Sequence, residues 1–396
     1  MTEGDVMRKA HILIAGGGIG GLTAALALTQ HGFRVAVYEQ TQELREFGAG
    51  ITISPNGSRV VAELGLRAVM EEIASPLTHM AMRLFNTGQT WQLPVADTSG
   101  SPFWPVHRGD LHQALASALE RRSPGAIRVE ARCVGFVQDA DHVSLLLENG
   151  ECVDADALIG ADGVHSRIRR ELFGEGRATF TGFMAWRAVL PIERVPARVR
   201  QPAFTAWMGP SGQIVTYPLR QGTLLNIAAT VRRDDWQVES WSEAGTVQEF
   251  KSDFVDWHED VLAVIDAIDV PYKWALIGRP PLEYCADNRV TVLGDAFHPT
   301  LPILGQGANM AIEDSMILAR CFAASADVVE ALQRYEAARL ERTSRIVRSS
   351  HDRISKLGKE FGDPDQAEAF MNRQFGSPSE VAFAWIHHYD AMSVPV

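Results

Sequence analysis

Apolar and polar residues follow strand-like and helix-like periods along this chain, and the N-terminal stretch shows them most clearly. An unbroken apolar run at 12–15 has the character of a buried strand and enters a cluster of glycines. An Ala- and Leu-rich stretch of helical length follows, and a second apolar strand at 35–38 comes after it. This order of strand, glycine turn, helix and strand predicts a βαβ unit whose two strands are parallel.

The rest of the chain alternates between the same two periods. Apolar runs bounded by Gly and Asp predict buried strands, and alternating apolar and polar residues predict strands with one exposed face. The predicted elements are, in chain order, a helix over 58–73, antiparallel strands over 76–106, a helix that starts within 107–115 with Asp110 as its N-cap, short strands over 127–160 with a hairpin turn at 148–150, strands over 180–278 and a charged helix over 327–355.

The length of 396 residues is enough for two or three domains. The change from βαβ patterns to strand-rich patterns and back predicts a discontinuous arrangement. The first domain would contain residues 1–75, 105–178 and 280–325. A β-sheet domain would contain 76–104 and 179–279, and a C-terminal helical region would contain 326–396.

Composition bears on the classes of partner. The chain has 49 acidic and 37 basic residues and a formal charge of −12, which argues against a nucleic-acid-binding surface. The acidic, polar N-terminus has no signal-peptide pattern and no stretch predicts a membrane span, so we expect a cytoplasmic protein.

His107 and His112 have no companions at metal-ligand spacing, and no metal site is predicted. The cysteines lack C-x-x-C spacing, which predicts reduced thiols at Cys133, Cys152, Cys285 and Cys321.

The glycine cluster carries the first chemical signal, because Gly16, Gly18 and Gly21 have the spacing G-x-G-x-x-G. In a dinucleotide-binding βαβ unit the first glycine allows a tight turn, the second lets the backbone approach a pyrophosphate, and the third lets the helix pack on the strand. Glu39 follows the second strand, close to the ~20-residue spacing expected of a carboxylate that binds a ribose 2′-hydroxyl. The alternative, a glycine-rich turn in an ordinary βαβ unit, leaves Glu39 unexplained. The motif alone does not separate NAD from FAD.

Two later apolar strands also end in acidic turns. The run at 157–160 leads to Asp162-Gly163, and the run at 290–293 leads into Gly294-Asp295. A Pro- and Gly-rich loop follows the second of these turns and leads into a helix. Because ligands bind at the carboxyl ends of parallel strands, we expect these turns and the glycine cluster to surround one ligand.

Several arginines allow two interpretations. Arg45 could supply a positive charge beside the Gly-Ala-Gly stretch at 48–50, or it could be a surface residue of a β-turn. Arg108 could reach a phosphate or a ring edge from a helix N-terminus, or it could face solvent. A further set recurs at three-residue intervals and predicts a solvated or dimer-facing surface: Arg339, Arg342, Arg345 and Arg348.

Together, the strand-end motifs resemble those of the single-component FAD-dependent aromatic hydroxylases, typified by the salicylate, 3-hydroxybenzoate and 6-hydroxynicotinate enzymes. The resemblance rests on the glycine motif with Glu39, on Asp162-Gly163 and on Gly294-Asp295, and it spans nearly the whole chain. It implies an α/β fold of the p-hydroxybenzoate hydroxylase type, with an FAD-binding GR2-type Rossmann-like domain, a β-sheet substrate domain and a C-terminal helical segment. A plain NAD dehydrogenase has no need for the second and third motifs.

The resemblance also implies cofactor contacts. Glu39 would bind the FAD ribose, and Arg45 and Arg108 would lie beside the flavin nucleotide. Asp162 would serve both FAD and the pyridine nucleotide, and Asp295 would bind the ribityl or ribose part of FAD. The loop that would border the isoalloxazine contains Pro302, Gly305, Gln306, Gly307, Ala308 and Asn309.

The implied reaction is hydroxylation of a small phenolic or hydroxypyridine carboxylate. NADH or NADPH would visit transiently to reduce FAD, O₂ would give a C4a-hydroperoxyflavin, and its distal oxygen would attack the ring. A phenolate reacts better than a phenol, so a group that favours deprotonation is expected beside the ring hydroxyl. Tyr217 is the first candidate and His298 the second, although His298 could instead only brace its loop. Gln213 occupies a position where some relatives carry a His, so a base role is lost there; Gln213, Tyr217 and Pro302 are the expected substrate contacts.

Two rival functions stay open on the sequence alone. One is an FAD enzyme that acts on a non-aromatic substrate, such as an epoxidase or an isoprenoid reductase. The other is a non-catalytic flavin-binding protein that would use the arginine repeat as its partner surface. A homodimer is also compatible with that repeat. A flavin halogenase is less favoured because no Trp-x-Trp-x-Ile-Pro motif is present.

Overall fold

Two large sheets organise the molecule, and helices from several parts of the chain pack around them. The structure is a computed structural model. It describes residues 10–44, 49–95, 100–233, 235, 243–356, 358–361, 363–376 and 384–396.

The first large sheet is mainly parallel. Its strands lie in the spatial order Ala286–Asp287 (β17), Val290–Val292 (β18), Ala157–Gly160 (β11), His11–Ala15 (β1), Arg34–Tyr38 (β2) and Ile127–Arg128 (β7). Only β17 and β18 pair antiparallel in this sheet. Residues 12–15 of β1 and all of β11 are apolar and buried, as expected when helices cover both faces of a parallel sheet.

The parallel order brings the predicted motifs together. β1, β11 and β18 are neighbours, with Ala15 aligned to Gly160 and Gly160 aligned to Val292. The turns that follow these three strands therefore leave the sheet at one edge, which we call the cofactor edge. The expected α/β fold is confirmed, and the glycine turn, Asp162 and Asp295 all belong to this edge.

The second large sheet is mainly antiparallel. Its strands lie in the order Tyr272–Gly278 (β16), Thr179–Pro191 (β12), Leu224–Arg232 (β15), Gly212–Leu219 (β14), Ala203–Met208 (β13), His79–Leu84 (β4) and Thr90–Leu93 (β5). Only β13 and β4 pair in parallel. The domain boundaries stay a prediction, although the strands of this sheet come from the two stretches assigned to the β-sheet domain.

Two smaller sheets and the helices complete the fold. The smaller sheets contain Cys152–Ala155 (β10), Val143–Leu147 (β9) and Cys133–Gln138 (β8), and Gly50–Ile53 (β3) with Trp104–His107 (β6). The α-helices are Ile19–Gln30 (α1), Pro55–Glu63 (α2), Arg67–Ile73 (α3), Arg108–Arg122 (α4), Arg167–Phe173 (α5), Val247–Ser252 (α6), Glu259–Asp266 (α7), Gly307–Ala324 (α8), Val328–Lys356 (α9), Pro364–Phe375 (α10) and Ala384–His387 (α11). Single 3₁₀ turns occur at Ile192–Arg194, Ala197–Val199, Gly294–Ala296, Pro302–Leu304 and Lys359–Phe361.

Two local predictions are wrong. The single helix expected over 58–73 is two helices, α2 and α3, because the chain turns at Gly65 with a φ of +84°. His107, rather than Asp110, is the N-cap of α4. Asp110 lies in the first turn, where its negative charge interacts favourably with the positive end of the helix dipole. The predicted hairpin is confirmed, because β9 and β10 pair antiparallel across it.

Candidate active site

The glycine turn after β1 shows why its spacing matters. Gly16 has a φ of +108°, and a Cβ there would overlap the carbonyl oxygen of Ala161. A Cβ on Gly21 would overlap the carbonyl oxygen of Gly16, so α1 can pack against the turn only with glycine at this position. A Cβ on Gly18 would meet no atom within 4 Å. Packing therefore requires Gly16 and Gly21, whereas Gly18 leaves open space before the N-terminus of α1.

Glu39 holds the glycine turn from the end of β2. One carboxylate oxygen accepts a hydrogen bond from the Gly17 amide at 2.8 Å, and the other accepts one from the Thr41 amide at 2.9 Å. On the opposite side, a ring nitrogen of His112 lies 2.7 Å from the Gly17 carbonyl oxygen. Glu39 is thus placed beside the turn as expected, and its contact with a ribose stays a prediction.

The Asp162 carboxylate, which was expected to bind nucleotides, holds the first turn of α5, whose N-cap is Ser166. It accepts hydrogen bonds from the Ser166 hydroxyl at 2.5 Å, the Arg167 amide at 2.6 Å and the Ile168 amide at 3.2 Å. Burial raises the pKa of Asp162, and these hydrogen bonds oppose that rise. Both of its oxygens are engaged in starting α5, so a direct role toward FAD or the pyridine nucleotide stays a prediction.

Asp295 has the opposite environment. It is exposed at the cofactor edge and makes no hydrogen bond or ion pair with any other described residue. A Cβ on Gly307 would lie 3.9 Å from a carboxylate oxygen of Asp295 and 3.8 Å from the Thr300 methyl carbon. The Thr300 hydroxyl is buried without a hydrogen-bond partner among the described residues. An exposed acid, an unsatisfied hydroxyl and a helix N-terminus therefore meet at one corner, which fits a polyhydroxylated, phosphorylated cofactor such as FAD.

The loop before α8 is held rigidly by two of the residues expected to border the flavin. Asn309 is fully buried; its side-chain oxygen accepts from the Ser54 amide at 3.0 Å, and its nitrogen donates to the Gly305 carbonyl at 2.9 Å. Gln306 is also buried and donates to the Ser54 hydroxyl at 3.1 Å. Gly305 adopts a left-handed conformation with a φ of +62°. The Gln306 and Asn309 side chains therefore shape the loop.

The exposed part of this loop consists of other predicted residues. Pro302 is exposed, Gly305 is exposed, and Gly307 and Ala308 are half-buried at the start of α8. These four positions remain the ones that a flat ring could meet. Arg45 lies outside the described residues.

Tyr217 of the second sheet packs against β3, which is bound in turn to α8 because Asn309 donates to the Thr52 carbonyl at 3.0 Å. It is buried on β14 and stacks on Phe204, with ring centroids 5.7 Å apart and planes inclined by 8°. A Cβ on Gly50 would lie 2.6 Å from a ring carbon of Tyr217, and the Gly50 amide donates to Asn226 at 2.7 Å. β3, which begins at Gly50, therefore fits against this face of the sheet. Burial raises the pKa of Tyr217 well above its ordinary value, so the phenol stays protonated.

Gln213 lies on the same side of the sheet as Tyr217. The two residues are four apart on β14, and side chains alternate between faces along a strand. Gln213 is half-buried and aligned with Thr230 of β15. It makes no hydrogen bond with any other described residue. Its amide is therefore positioned to meet a ligand on the Tyr217 side.

His298 is buried behind the cofactor edge. One ring nitrogen lies 2.5 Å from a carboxylate oxygen of Asp314, which also accepts from the Gly294 amide at 3.0 Å. The other ring nitrogen is buried and has no partner among the described residues. With only 2% of its surface exposed, His298 has almost no area to offer a substrate. This placement favours the bracing alternative over a direct chemical role.

Asp314 belongs to a buried group of charges that we call the ion-pair network: Glu313, Asp314, Arg339 and Arg342. Arg339 binds Asp314 at 2.7 Å and Glu313 at 2.8 Å, and Arg342 binds Glu313 at 2.9 Å. Burial alone would raise the pKa of Asp314 and lower that of Arg339, but the opposite charges around them reverse both shifts. Both groups are therefore charged.

The network corrects the interpretation of the arginine repeat as a solvated or dimer-facing surface. Arg339 has no exposed side-chain surface and Arg342 has 8%, whereas Arg345 and Arg348 are exposed. The three-residue spacing resembled an exposed stripe because the buried carboxylates that pair with it come from another helix.

Other functional groups had weak or no signals in the sequence. Arg108 begins α4, as expected, and donates its backbone amide to the Ala49 carbonyl at 3.0 Å. Arg187 of β12 lies close enough to Arg108 that burial and this neighbouring charge lower the pKa of Arg187. Arg187, Asn226 and Thr300 were not predicted, because each looks like an ordinary strand or loop residue until the chain is folded.

A separate cavity of about 250 Å³ lies on the other face of the second sheet. Its lining includes Thr216 of β14, Trp207 of β13 and Arg83 of β4. Thr216 alternates with Tyr217 along the strand, so this cavity faces away from Tyr217 and the cofactor edge. No cluster of three His, Cys, Asp or Glu side chains that could hold a metal ion occurs among the described residues. In the same part of the chain, no helix has the length and apolar character needed to cross a membrane.

Comparisons with known proteins agree with this geometry. The FAD binding domain family matches residues 9–350. The chain is 34% identical over 394 residues to a 3-amino-4-hydroxybenzoate 2-monooxygenase of Streptomyces platensis, covering 98% of both proteins. It is 36% identical to the 6-hydroxynicotinate 3-monooxygenase of Pseudomonas fluorescens, covering 87% of this chain and 91% of that protein.

A solved structure extends the comparison to three dimensions. Klebsiella pneumoniae HpxO, complexed with FAD and uric acid, superposes with a TM-score of 0.83 at 27% identity and 96% coverage of both chains. The strand-end turns, the exposed acid at the cofactor edge and these relatives lead to one conclusion. The chain belongs to the FAD-binding family of single-component aromatic hydroxylases.

Proposed function

We propose that this protein uses FAD, NADH or NADPH and O₂ to hydroxylate a small phenolic or hydroxypyridine carboxylate. The observation that carries the proposal is the convergence of three strand-end turns on one sheet edge, beside the face that bears Tyr217. The names of two relatives, which act on an amino-hydroxybenzoate and on 6-hydroxynicotinate, support an aromatic carboxylate as the substrate class.

The cofactor edge would hold FAD through groups that the fold leaves available. Asp295 and the Thr300 hydroxyl would bind the polyhydroxylated part of FAD, and the N-termini of α1 and α8 would bind its anionic parts. When bound, FAD supplies the redox chemistry, with NAD(P)H as reductant and O₂ as the source of the transferred oxygen. The described residues contain a single dinucleotide-type βαβ unit, which supports a transient visit by NAD(P)H.

Tyr217 would control the substrate oxygen by donating a hydrogen bond. Because its pKa is raised, the phenol stays protonated, so it has no ionised oxygen with which to take up a proton and remains a hydrogen-bond donor. A donor at this position stabilises a ring oxygen more when that oxygen is ionised, because a hydrogen bond to a charged group is stronger. Tyr217 would therefore lower the pKa of the substrate phenol and increase the electron density of the ring. Gln213 could hydrogen-bond the substrate but could not take up its proton.

The second sheet would keep water away from the reacting ring. Phe204 stacks on Tyr217. A further apolar cluster joins Ala185 and Trp274 of this sheet with Leu301 and Ile303 of the loop at 299–306 before α8, which we call the flavin loop. Exclusion of water protects reactive intermediates and strengthens the Tyr217 hydrogen bond. The positive charges of Arg108 and Arg187 nearby favour an anionic ligand.

The test measures flavin reduction and product formation with a panel of ring substrates. Hydroxybenzoates and hydroxypyridine carboxylates should be mixed anaerobically with the yellow holoenzyme and NADH or NADPH in a stopped-flow instrument. A true substrate should accelerate flavin bleaching, and admission of O₂ should then give a ring-hydroxylated product by mass spectrometry. If no member of the panel accelerated flavin reduction and no hydroxylated product formed, the proposal would be contradicted. That result would favour an FAD enzyme with a non-aromatic substrate.

The buried ion-pair network also bears on the non-catalytic rival. That rival required Arg339, Arg342, Arg345 and Arg348 to form one exposed partner surface. Two of the four bind buried carboxylates instead. The surface that motivated a purely binding protein is therefore absent from the described residues.

A further inference from the structure

The C-terminal segment, residues 384–396, packs apolar side chains on the core and is also bound by arginines through its backbone carbonyls. Arg342 donates to the carbonyls of Trp385 at 3.0 Å and Ile386 at 2.9 Å. Arg320 donates to those of Ala391 and Val394, each at 2.7 Å. Arg59 binds the carbonyls of His387 and Tyr389. Three arginines from α2, α8 and α9 therefore fix the course of this segment.

The aromatic side chains of the segment bind the same helix. The Arg342 guanidinium lies 4.3 Å from the ring centroid of Tyr389, and Arg345 lies 4.0 Å from that of Trp385. Arg339 donates to the Tyr389 hydroxyl at 3.0 Å. Arg339 and Arg342 thus contact the C-terminal segment on one side and the buried carboxylates on the other.

The two buried carboxylates bind different parts of the cofactor edge: Asp314 binds the Gly294-Asp295 turn, and Glu313 is linked to the flavin loop. Asp314 accepts from the Gly294 amide, directly before Asp295. Glu313 accepts from the Asn56 side chain at 2.6 Å, and the same Asn56 nitrogen donates to Gln306 at 2.9 Å. Gln306 immediately precedes α8 in the flavin loop. A continuous chain of hydrogen bonds and ion pairs therefore runs from the C-terminal segment to both turns.

We propose that the C-terminal segment is a positioning element of the FAD site, coupled to it through Arg339 and Arg342. Each arginine makes one set of bonds to the segment and another to Glu313, so neither set can shift without the other. Buried networks of this kind are satisfied as a unit, because leaving one member unpaired in a low-dielectric interior is costly. Docking of the segment should therefore order the cofactor edge, and by reciprocity FAD should order the segment. The proposal rests on FAD binding and is independent of which substrate is hydroxylated.

The first test needs no substitution. Hydrogen exchange of the full-length protein should be measured by mass spectrometry with and without FAD. Peptides that cover 384–396 should exchange more slowly in the FAD-loaded protein, although the segment is expected to make no contact with FAD. The β9–β10 hairpin, which is remote from the network, serves as the internal control and should change little. Equal exchange of the 384–396 peptides in both states would overturn the proposal.

The second test compares a substitution at Arg342 with the same substitution elsewhere on its helix. Arg342→Lys keeps a positive charge beside Glu313 but cannot bind the carboxylate and two carbonyls together, because an ammonium lacks the fork geometry of a guanidinium. We expect the Kd of FAD to rise about tenfold, within the 5- to 150-fold range usual for coupled sites, and FAD-dependent protection of 384–396 to be lost. Arg348→Lys, an exposed change on the same helix, should leave both unchanged.

The outcomes of the second test are distinct. A folded Arg342→Lys protein that binds FAD like the unchanged protein while its C-terminal segment exchanges rapidly would show that segment and site are independent. That result would overturn the proposal without affecting the hydroxylase assignment, which the substrate screen tests. If the variant does not fold, Tyr389→Phe removes only the hydroxyl bond to Arg339 and should give a smaller rise in Kd in the same direction.

Discussion

The cofactor edge and the Tyr217 face, which together form the proposed site, satisfy their polar groups in opposite ways. At the edge, Asn309, Gln306 and Asp314 are buried and bonded to other parts of the protein. On the sheet face, neither Gln213 nor the Tyr217 hydroxyl bonds to another described residue. Buried polar groups that are fully paired specify one geometry, whereas unpaired ones are free to bind a ligand. We therefore expect the edge to position the cofactor and the face to recognise the substrate.

Asp295 is the exception at the edge, and its replacement should have the largest effect. It is exposed and bonds to no other described residue, so Asp295→Ala should leave the fold intact and remove the proposed ligand of FAD. We expect purified Asp295→Ala to lack the yellow cofactor and all oxidation of NAD(P)H. Absorbance near the flavin bands, with circular dichroism to verify folding, measures this. Asp287→Ala, an exposed change at the other end of the same strand pair, should stay yellow. A yellow Asp295→Ala protein would contradict the map of the edge.

Asp314 should behave as a structural residue, so its replacement should lower the free energy of unfolding. Asp314→Asn removes one partner of a buried ion pair, a change that costs about 3–5 kcal/mol in comparable cases. The measurement is the free energy of unfolding in urea without FAD, so that lost cofactor binding is not counted. Exposed Asp352→Asn on α9 is the matched control. A loss below about 1 kcal/mol, the usual value of an exposed pair, would show that the network is unimportant for the fold.

The pH dependence of stability provides an independent check on Asp314. Its pKa is lowered in the folded protein, so the ionised form stabilises the fold at any pH above its ordinary, unfolded value of about 3.9. That contribution is lost as the pH falls through the lowered folded value. Below pH 4 the stability of the unchanged protein should therefore approach that of Asp314→Asn. A difference that persists at the lowest pH at which both proteins fold would contradict an ionic role.

The same contrast explains which features were predictable from the sequence. The glycine turn is largely local: Gly16 has a φ of +108°, and a Cβ on Gly21 would overlap the carbonyl oxygen of Gly16, so their spacing identifies them. The contact of Gly16 with Ala161, which follows β11, appears only in the folded chain. Tyr217 was found through its strand position and the family resemblance. Arg339 was misassigned because its partners, Glu313 and Asp314, lie on another helix, and only the folded chain shows that they are buried. Thr300 gave no signal, because an unpaired hydroxyl can be recognised only in three dimensions.

Tyr217→Phe should separate recognition from position. It removes the phenol hydroxyl from a group that bonds to no described residue, so FAD binding and flavin reduction should change little. Hydroxylation should slow by about ten- to a hundredfold, as expected when a hydrogen bond of 1.5–3 kcal/mol to a charged oxygen is lost. Stopped-flow measurement resolves reduction and hydroxylation as separate phases. Tyr272→Phe, on the exposed edge strand of the same sheet, should affect neither phase. Equal slowing of both phases would indicate that Tyr217 also supports the position of FAD.

Gln213→His should have the smallest effect and a distinct pH signature. An imidazole there could accept the phenol proton that a glutamine cannot, and its ordinary pKa is about 6.5. Neutral imidazole is the proton acceptor, so a new increase in the hydroxylation rate should accompany the rise of pH through this value, with a gain of tenfold at most. Gln201→His, which lines the cavity on the opposite face, should leave the pH profile unchanged. If Gln213→His produced no new titration, the half-buried side chain at 213 would not reach the substrate oxygen, and recognition on this face would depend on Tyr217 alone.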